Sequence, residues 1–83
     1  MKLELYYYPQ CPFCARIIKK IDGMGLTKQI KLMNTMQDPE NAQRHQAVTG
    51  RATVPCLYID DKPMFESGDI AKWLEANSDE IKK

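Results

Sequence analysis

The sequence predicts an α/β fold in the order β-α-β-α-β-β-α, a four-stranded mixed sheet flanked by three helices, and three observations lead to it. Leu3, Leu5 and Tyr7 alternate with Lys2, Glu4 and Tyr6, the period of two that marks a strand. From Pro12 onward the apolar positions change to helical spacing,. Thr53 to Ile59 is the most hydrophobic run of the chain, and Asp60-Asp61-Lys62 then turns it back into a second short strand,.

The first strand ends near Tyr8, and Pro9-Gln10 forms a short loop. In the first helix Phe13, Ile17, Ile18 and Ile21 share one face, with Arg16, Lys19 and Lys20 off it, and Gly23 and Gly25 end it,. A second strand falls over Gln29 to Met33. Asp38-Pro39-Glu40 supplies an N-cap, a proline for the first helical position and an acid for the first turn,. That second helix runs to about Val48 and stops at Gly50. Being polar for most of its length, it is expected to cover one edge of the sheet through a narrow stripe including Ala42 and Ala47. His45 then reads as a solvated residue, not a catalytic base. The return strand is Pro63 to Glu66, Ser67 caps the last helix, and Ile70, Trp73 and Leu74 form its apolar face,. Ser78 to Lys83 is charged and expected to fray,. Joining the parallel strands requires a right-handed crossover.

At 83 residues the chain is expected to form one domain, 1–83, with a single modest core,. The formal net charge is +1 and the basic residues are spread along the chain. Neither feature predicts a nucleic-acid or membrane surface. Glu4 interrupts any signal-peptide core, and no stretch approaches the roughly 20 apolar residues of a membrane span,. The reading is a cytoplasmic, monomeric protein, in a compartment where a pair of close cysteines is more often catalytic than structural.

That pair is Cys11-Pro12-Phe13-Cys14. Cysteines three apart on a helical turn face the same way and can close into a disulfide with little backbone movement. Cys11 falls at the helix N-terminus, where free N–H groups and the positive dipole end favour a thiolate, and cysteines so placed have pKa values of roughly 3.5 to 7.5. Cys14 is the more buried partner. Zinc is the competing use, but a structural site usually needs four ligands. Only Cys56 and His45 remain to complete one, and no metal is expected. Alternation places Cys56 on the face opposite Pro55, as a small buried hydrophobe.

Pro55 lies inside the run that otherwise resembles a central strand, where proline cannot donate to the ladder,. Either a trans proline at an edge or a cis Val54-Pro55 bond at the start of the strand fits the periodicity. The cis form would leave the Val54 N–H and C=O free to pair with an extended, peptide-like ligand.

With Cys11-Pro12-Phe13-Cys14, Thr49-Gly50-Arg51-Ala52-Thr53-Val54-Pro55 and Glu66-Ser67-Gly68-Asp69-Ile70 at these spacings, the chain resembles a glutaredoxin over essentially its whole length. Glu66-Ser67 also resembles the glutathione-binding element in the N-terminal domain of glutathione transferases. The resemblance implies a thioredoxin-like fold, a cis bond at Val54-Pro55 and the use of glutathione as reductant. It implies that Cys11 attacks disulfides, that Cys14 resolves them, and that the redox-active disulfide joins the two. Val54 would pair with the cysteinyl part of glutathione, and Ser67 with Asp69 would receive the γ-glutamyl end. Tyr8, Phe13, Arg51, Thr53, Pro55 and Glu66 complete the implied glutathione-binding set.

The sequence departs from the family pattern in three places. Tyr8 stands where glutaredoxins usually carry lysine, Ala42 where they often carry glutamine or arginine, and Phe65-Glu66-Ser67 where a double glycine is common. The first two positions grip the glycine carboxylate of glutathione, so Arg51, Arg44 or Gln43 would have to substitute. The expected activity is reduction of protein disulfides and glutathione mixed disulfides. Two alternatives stand beside it. One is an electron donor reduced by a thioredoxin-reductase-type flavoenzyme. The other is a glutathione-binding module, transferase-like or holding an iron–sulfur cluster between two chains. Pro12 disfavours the cluster by resemblance, and a transferase would need a further helical domain.

Overall fold

A computed structural model describes residues 1–82. Its elements are β1 (Leu3–Tyr7), α1 (Pro12–Gly23), β2 (Lys31–Asn34), α2 (Pro39–Thr49), β3 (Cys56–Ile59), β4 (Lys62–Met64) and α3 (Ser67–Lys82). The strands lie in the order β2-β1-β3-β4, with β1 parallel to β2 and the other two pairs antiparallel. This is the predicted thioredoxin-like order and mixed sheet.

Alternation along the strands sorts the side chains into two layers. Leu3, Leu5 and Leu57 pack with Ile17 and Ile21 of α1 and with Ile70, Leu74 and Ile81 of α3. Each such residue, fully buried, contributes on the order of 1.5–3 kcal/mol of transfer free energy. Lys20 Nζ donates to Glu75 Oε1 across the α1–α3 contact. Tyr6, Met33, Cys56 and Tyr58 form a second, smaller cluster on the opposite face, with Val54 and Phe65 against it. The His45 ring of α2 stacks on Tyr6 at 5.1 Å between centroids and meets Tyr58 edge-on at 5.7 Å.

Helix boundaries follow local chemistry. Asp38 caps α2 by accepting from the Glu40 N–H at 3.1 Å, and Gly50 ends it at φ 73°, a left-handed conformation suited to glycine,. Asp60 and Asp61 carry positive φ, 48° and 71°, in the two-residue turn between β3 and β4. Such angles at both central positions match the right-handed twist of a hairpin.

Several expectations are corrected. α2 lies across the Tyr6–Tyr58 face of the sheet and not along an edge. Its contact stripe is Asn41, Ala42, His45 and Thr49, while Ala47 and Val48 are exposed. His45 is 1% exposed, because its ring nitrogens find partners inside. β1 is buried on both faces, Glu4 included, since it is central and α2 covers its second face. Glu4 has Lys2 Nζ and Arg44 Nη1 each at 4.0 Å. β2 begins two residues later than predicted, after a turn in which the Gln29 N–H donates to Leu26 O at 3.0 Å. β3 starts only at Cys56, past the proline that lacks an N–H,. α3 continues to Lys82 where fraying was expected from Ser78, because Ile81 is anchored in the core. The expectation for Lys83 lies outside the described residues.

Candidate active site

Cys11 is the N-cap of α1, with φ −78° and ψ 118°, and Pro12 occupies the first helical position. The Cys14 N–H donates to Cys11 Sγ at 3.3 Å, so one of the free amides at the helix start is satisfied by the sulfur,. The Cys11 N–H in turn donates to Tyr8 O at 3.2 Å, tying the β1–α1 loop to the cap. Cys11 is 5% exposed and Cys14 fully buried, the predicted order. Burial, reinforced by the hydrogen bond with Cys11, pushes the Cys14 thiol up to about 12. Cys14 is therefore a neutral thiol at ordinary pH. Buried Cys56, against Tyr6 in the neighbouring strand, is likewise held up, to about 11, by desolvation.

A groove of about 310 Å³ is lined by Phe13, Arg51, Thr53, Val54, Pro55, Phe65, Glu66 and Ser67. Phe13 was expected on the buried face of α1; Cys14, Ile17 and Ile21 take that face and Phe13 turns to the groove, 54% exposed. The Val54–Pro55 peptide is cis. Thr49 Oγ1 donates to Arg51 O at 3.0 Å and accepts from Arg51 N–H at 3.1 Å, fixing the start of the loop. The Arg51 guanidinium carbon lies 5.1 Å from the centroid of the Phe65 ring, within cation–π range,. Ser67 is the first residue of α3 and not its cap. Glu66 O accepts the first helical bond, from Ile70 N–H at 2.8 Å, which moves the cap one residue back.

The fold thus brings Phe13, Arg51, Thr53, Val54, Pro55, Glu66 and Ser67 into one concavity. Tyr8 and Asp69 do not line it. Tyr8 is half-buried in the β1–α1 loop, and Asp69 is exposed in the first turn of α3. Sequence reasoning missed Phe65 and His45. Phe65 follows β4 on the alternation that puts Met64 in the other layer, a usable signal,. His45 carried a weaker one, a spacing of four among the polar residues Asn41, His45 and Thr49. A larger concavity of about 480 Å³ is lined by residues including Tyr7, Ala15, Ile18 and Leu32; no cysteine lines either concavity, and the groove is the one that includes Phe13, between the two cysteines in sequence. Among the described residues, no three His, Cys, Asp or Glu side chains are grouped to hold a metal ion, and no helix is long and apolar enough to cross a membrane.

A family model described as Glutaredoxin matches residues 3–64. A curated relative, a probable glutaredoxin of Synechocystis sp., is 28% identical over 69 residues, 83% of this chain and 77% of its own length. Among solved structures, a trimeric glutathione transferase of Leishmania aligns with TM-score 0.72 and 31% identity over 94% of this chain, which spans only 17% of that protein. A glutaredoxin of Brucella melitensis, 24% identical, covers 98% of this chain and 87% of its own with TM-score 0.64, a likeness of fold. The match across residues 3–64, on a four-stranded sheet of this order, makes the chain a member of the glutaredoxin family, a membership that supports a thiol–disulfide oxidoreductase role.

Proposed function

We propose that the protein reduces glutathione mixed disulfides and protein disulfides through Cys11 and Cys14, with glutathione as the electron source, as a single-domain monomer in the cytoplasm. The observation that carries this reading is the groove whose one wall is Phe13, two residues from Cys11, and whose other walls are the 51–55 loop and the start of α3. Its shape and lining suit a short, extended, charged peptide. The Val54 backbone can pair with the cysteinyl unit. The N-terminus of the sixteen-residue α3 favours the γ-glutamyl carboxylate at Ser67,, and Glu66, which lines the groove, provides a carboxylate for the γ-glutamyl ammonium. Arg51 is the best-placed cation for the glycine carboxylate, since it lines the groove whereas Arg44 lies beside Glu4.

Cys11 Sγ, as thiolate, attacks the glutathione sulfur of a mixed disulfide. The new S–S bond forms as the old one breaks, and the substrate leaves as a thiolate that takes a proton from water. A second glutathione thiolate then cleaves the bond at Cys11, releasing oxidised glutathione and restoring the Cys11 thiolate. With a protein disulfide, Cys14 gives up its proton and attacks Cys11 Sγ, expelling the second substrate thiol and leaving the Cys11–Cys14 disulfide. A thiol held near 12 gives its proton up late, which suits a resolving role over a first attack.

The test is reduction of the glutathione–mercaptoethanol mixed disulfide with glutathione, glutathione reductase and NADPH. Activity is expected to vanish in Cys11→Ser and to survive in Cys14→Ser. No turnover by the wild type, together with rapid reduction by thioredoxin reductase, would assign the protein to the flavoenzyme-fed class instead.

A further inference from the structure

The groove is built over a histidine. His45 sits on α2, 1% exposed, with Nε2 2.8 Å from Thr53 O and Nδ1 2.7 Å from Tyr58 Oη. A carbonyl oxygen only accepts, so Nε2 carries the hydrogen, and in the neutral ring Nδ1 accepts from the Tyr58 hydroxyl. Both roles are thereby fixed. The same ring contacts Tyr6 at 5.1 Å and Phe65 at 6.0 Å, so it touches the aromatic wall of the groove as well as the loop.

The consequence lies in the Thr53–Val54 peptide. That bond is trans, so its C=O and N–H point in opposite directions,. Drawing the Thr53 carbonyl down onto His45 turns the Val54 N–H to the other side, where Val54 lines the groove. The Val54 N–H has no hydrogen-bond partner among the described residues. Among the described residues no other hydrogen bond holds this peptide plane: the Thr49 bonds end at Arg51, and β3 begins at Cys56.

We propose that His45 is a positioning residue for peptide-backbone recognition, in which its Nε2–H, by fixing the Thr53 carbonyl, presents the Val54 N–H to the carbonyl of a bound γ-glutamyl-cysteinyl peptide. The inference rests on the glutathione reading above, and goes beyond it by assigning the orientation of the key amide to a buried side chain that never touches ligand.

Two amide substitutions separate the ring's two bonds. A glutamine amide nitrogen can replace Nε2, whereas the shorter asparagine reaches only the Nδ1 side. Losing one oriented hydrogen bond to the ligand corresponds to about tenfold in binding. His45→Asn is therefore expected to raise KM for glutathione about tenfold with kcat unchanged, the mark of lost uniform binding. His45→Gln is expected to stay within about twofold of the wild type on the same reasoning. In ¹⁵N–¹H spectra of the ligand-free variants, the Val54 amide peak should move in His45→Asn and return in His45→Gln. Wild-type KM and an unmoved Val54 peak in His45→Asn would overturn the proposal, as would equal losses in both variants. If the wild type does not turn over glutathione, the glutathione reading falls, and the Val54 peak alone decides whether His45 orients that amide.

Discussion

The two faces of the sheet are built from different chemistry. Towards α1 and α3 the interior is aliphatic, ten buried Leu and Ile side chains with no polar atom to satisfy. Towards α2 it is Tyr6, Tyr58, Cys56, Met33 and His45, with Glu4 at the rim of the same layer. Apolar packing is non-directional, so the first face can hold the fold together without specifying where any one peptide points. Hydrogen bonds are directional, and the second face uses them to set the loop that lines the groove,. Stability and site geometry are thus assigned to opposite sides of one sheet.

The largest effect that would break this contrast is on the aliphatic side. Leu57→Ala should lower unfolding free energy by about 2–5 kcal/mol in denaturant titrations, while kcat and KM of the folded fraction stay near wild type. A raised KM at unchanged stability would show that the two faces do not divide in this way.

Alkaline pH sharpens it next. Burial holds Cys56 at about 11 and Tyr58 at about 12, and Cys14 in α1 at about 12. Unfolded, these groups release protons near 8.5 for cysteine and 10 for tyrosine. Between those values and the folded ones the native state binds more protons than the unfolded chain, so stability falls as pH rises. It should be complete below about pH 8.5 and decline towards pH 12, each group adding at most about 1.4 kcal/mol per pH unit. Urea titrations from pH 7 to 10.5 check this, and a flat profile would contradict the burial of these groups.

A smaller change is expected from Tyr58→Phe, which leaves His45 Nδ1 without its donor at a cost of about 1–3 kcal/mol. KM for glutathione should hardly change, because the bond from Nε2 to Thr53 survives. Smallest is Cys56→Ala, which removes one buried sulfur for about 1 kcal/mol at neutral pH. The same variant should flatten part of the alkaline decline.

The contrast also explains what could be read from the sequence. Leu3, Leu5, Ile17, Ile21, Ile70 and Leu74 carry apolar side chains at helical or strand spacing, and that face was legible outright,. The opposite face was not, because Tyr6, Glu4 and His45 look like solvent-facing residues until α2 is laid over them. A helix without an apolar stripe gives no periodic signal, so nothing in the sequence of α2 separates a helix lying across the sheet from one along its edge. The groove was mostly legible through the resemblance carried by the Thr53-Val54-Pro55 and Glu66-Ser67 segments. Its foundation, the His45 bond to Thr53, depends on a tertiary contact that no local pattern encodes.

The register of β1 has one more consequence. Leu3 stands opposite Ile59 and Tyr6 opposite Cys56, so the strand leading into the cysteine pair gains its second neighbour only from residues fifty or more positions later. Such non-local pairing closes slowly relative to local contacts. During synthesis Cys11 and Cys14 leave the ribosome well before β3 exists to complete the sheet. Until then the shelter that keeps Cys14 a poor nucleophile is missing, and the Cys11 and Cys14 thiols are open to stray oxidation,. The interval between translating Cys14 and pairing β3 is the period in which this chain is most exposed to the chemistry it is proposed to reverse in others.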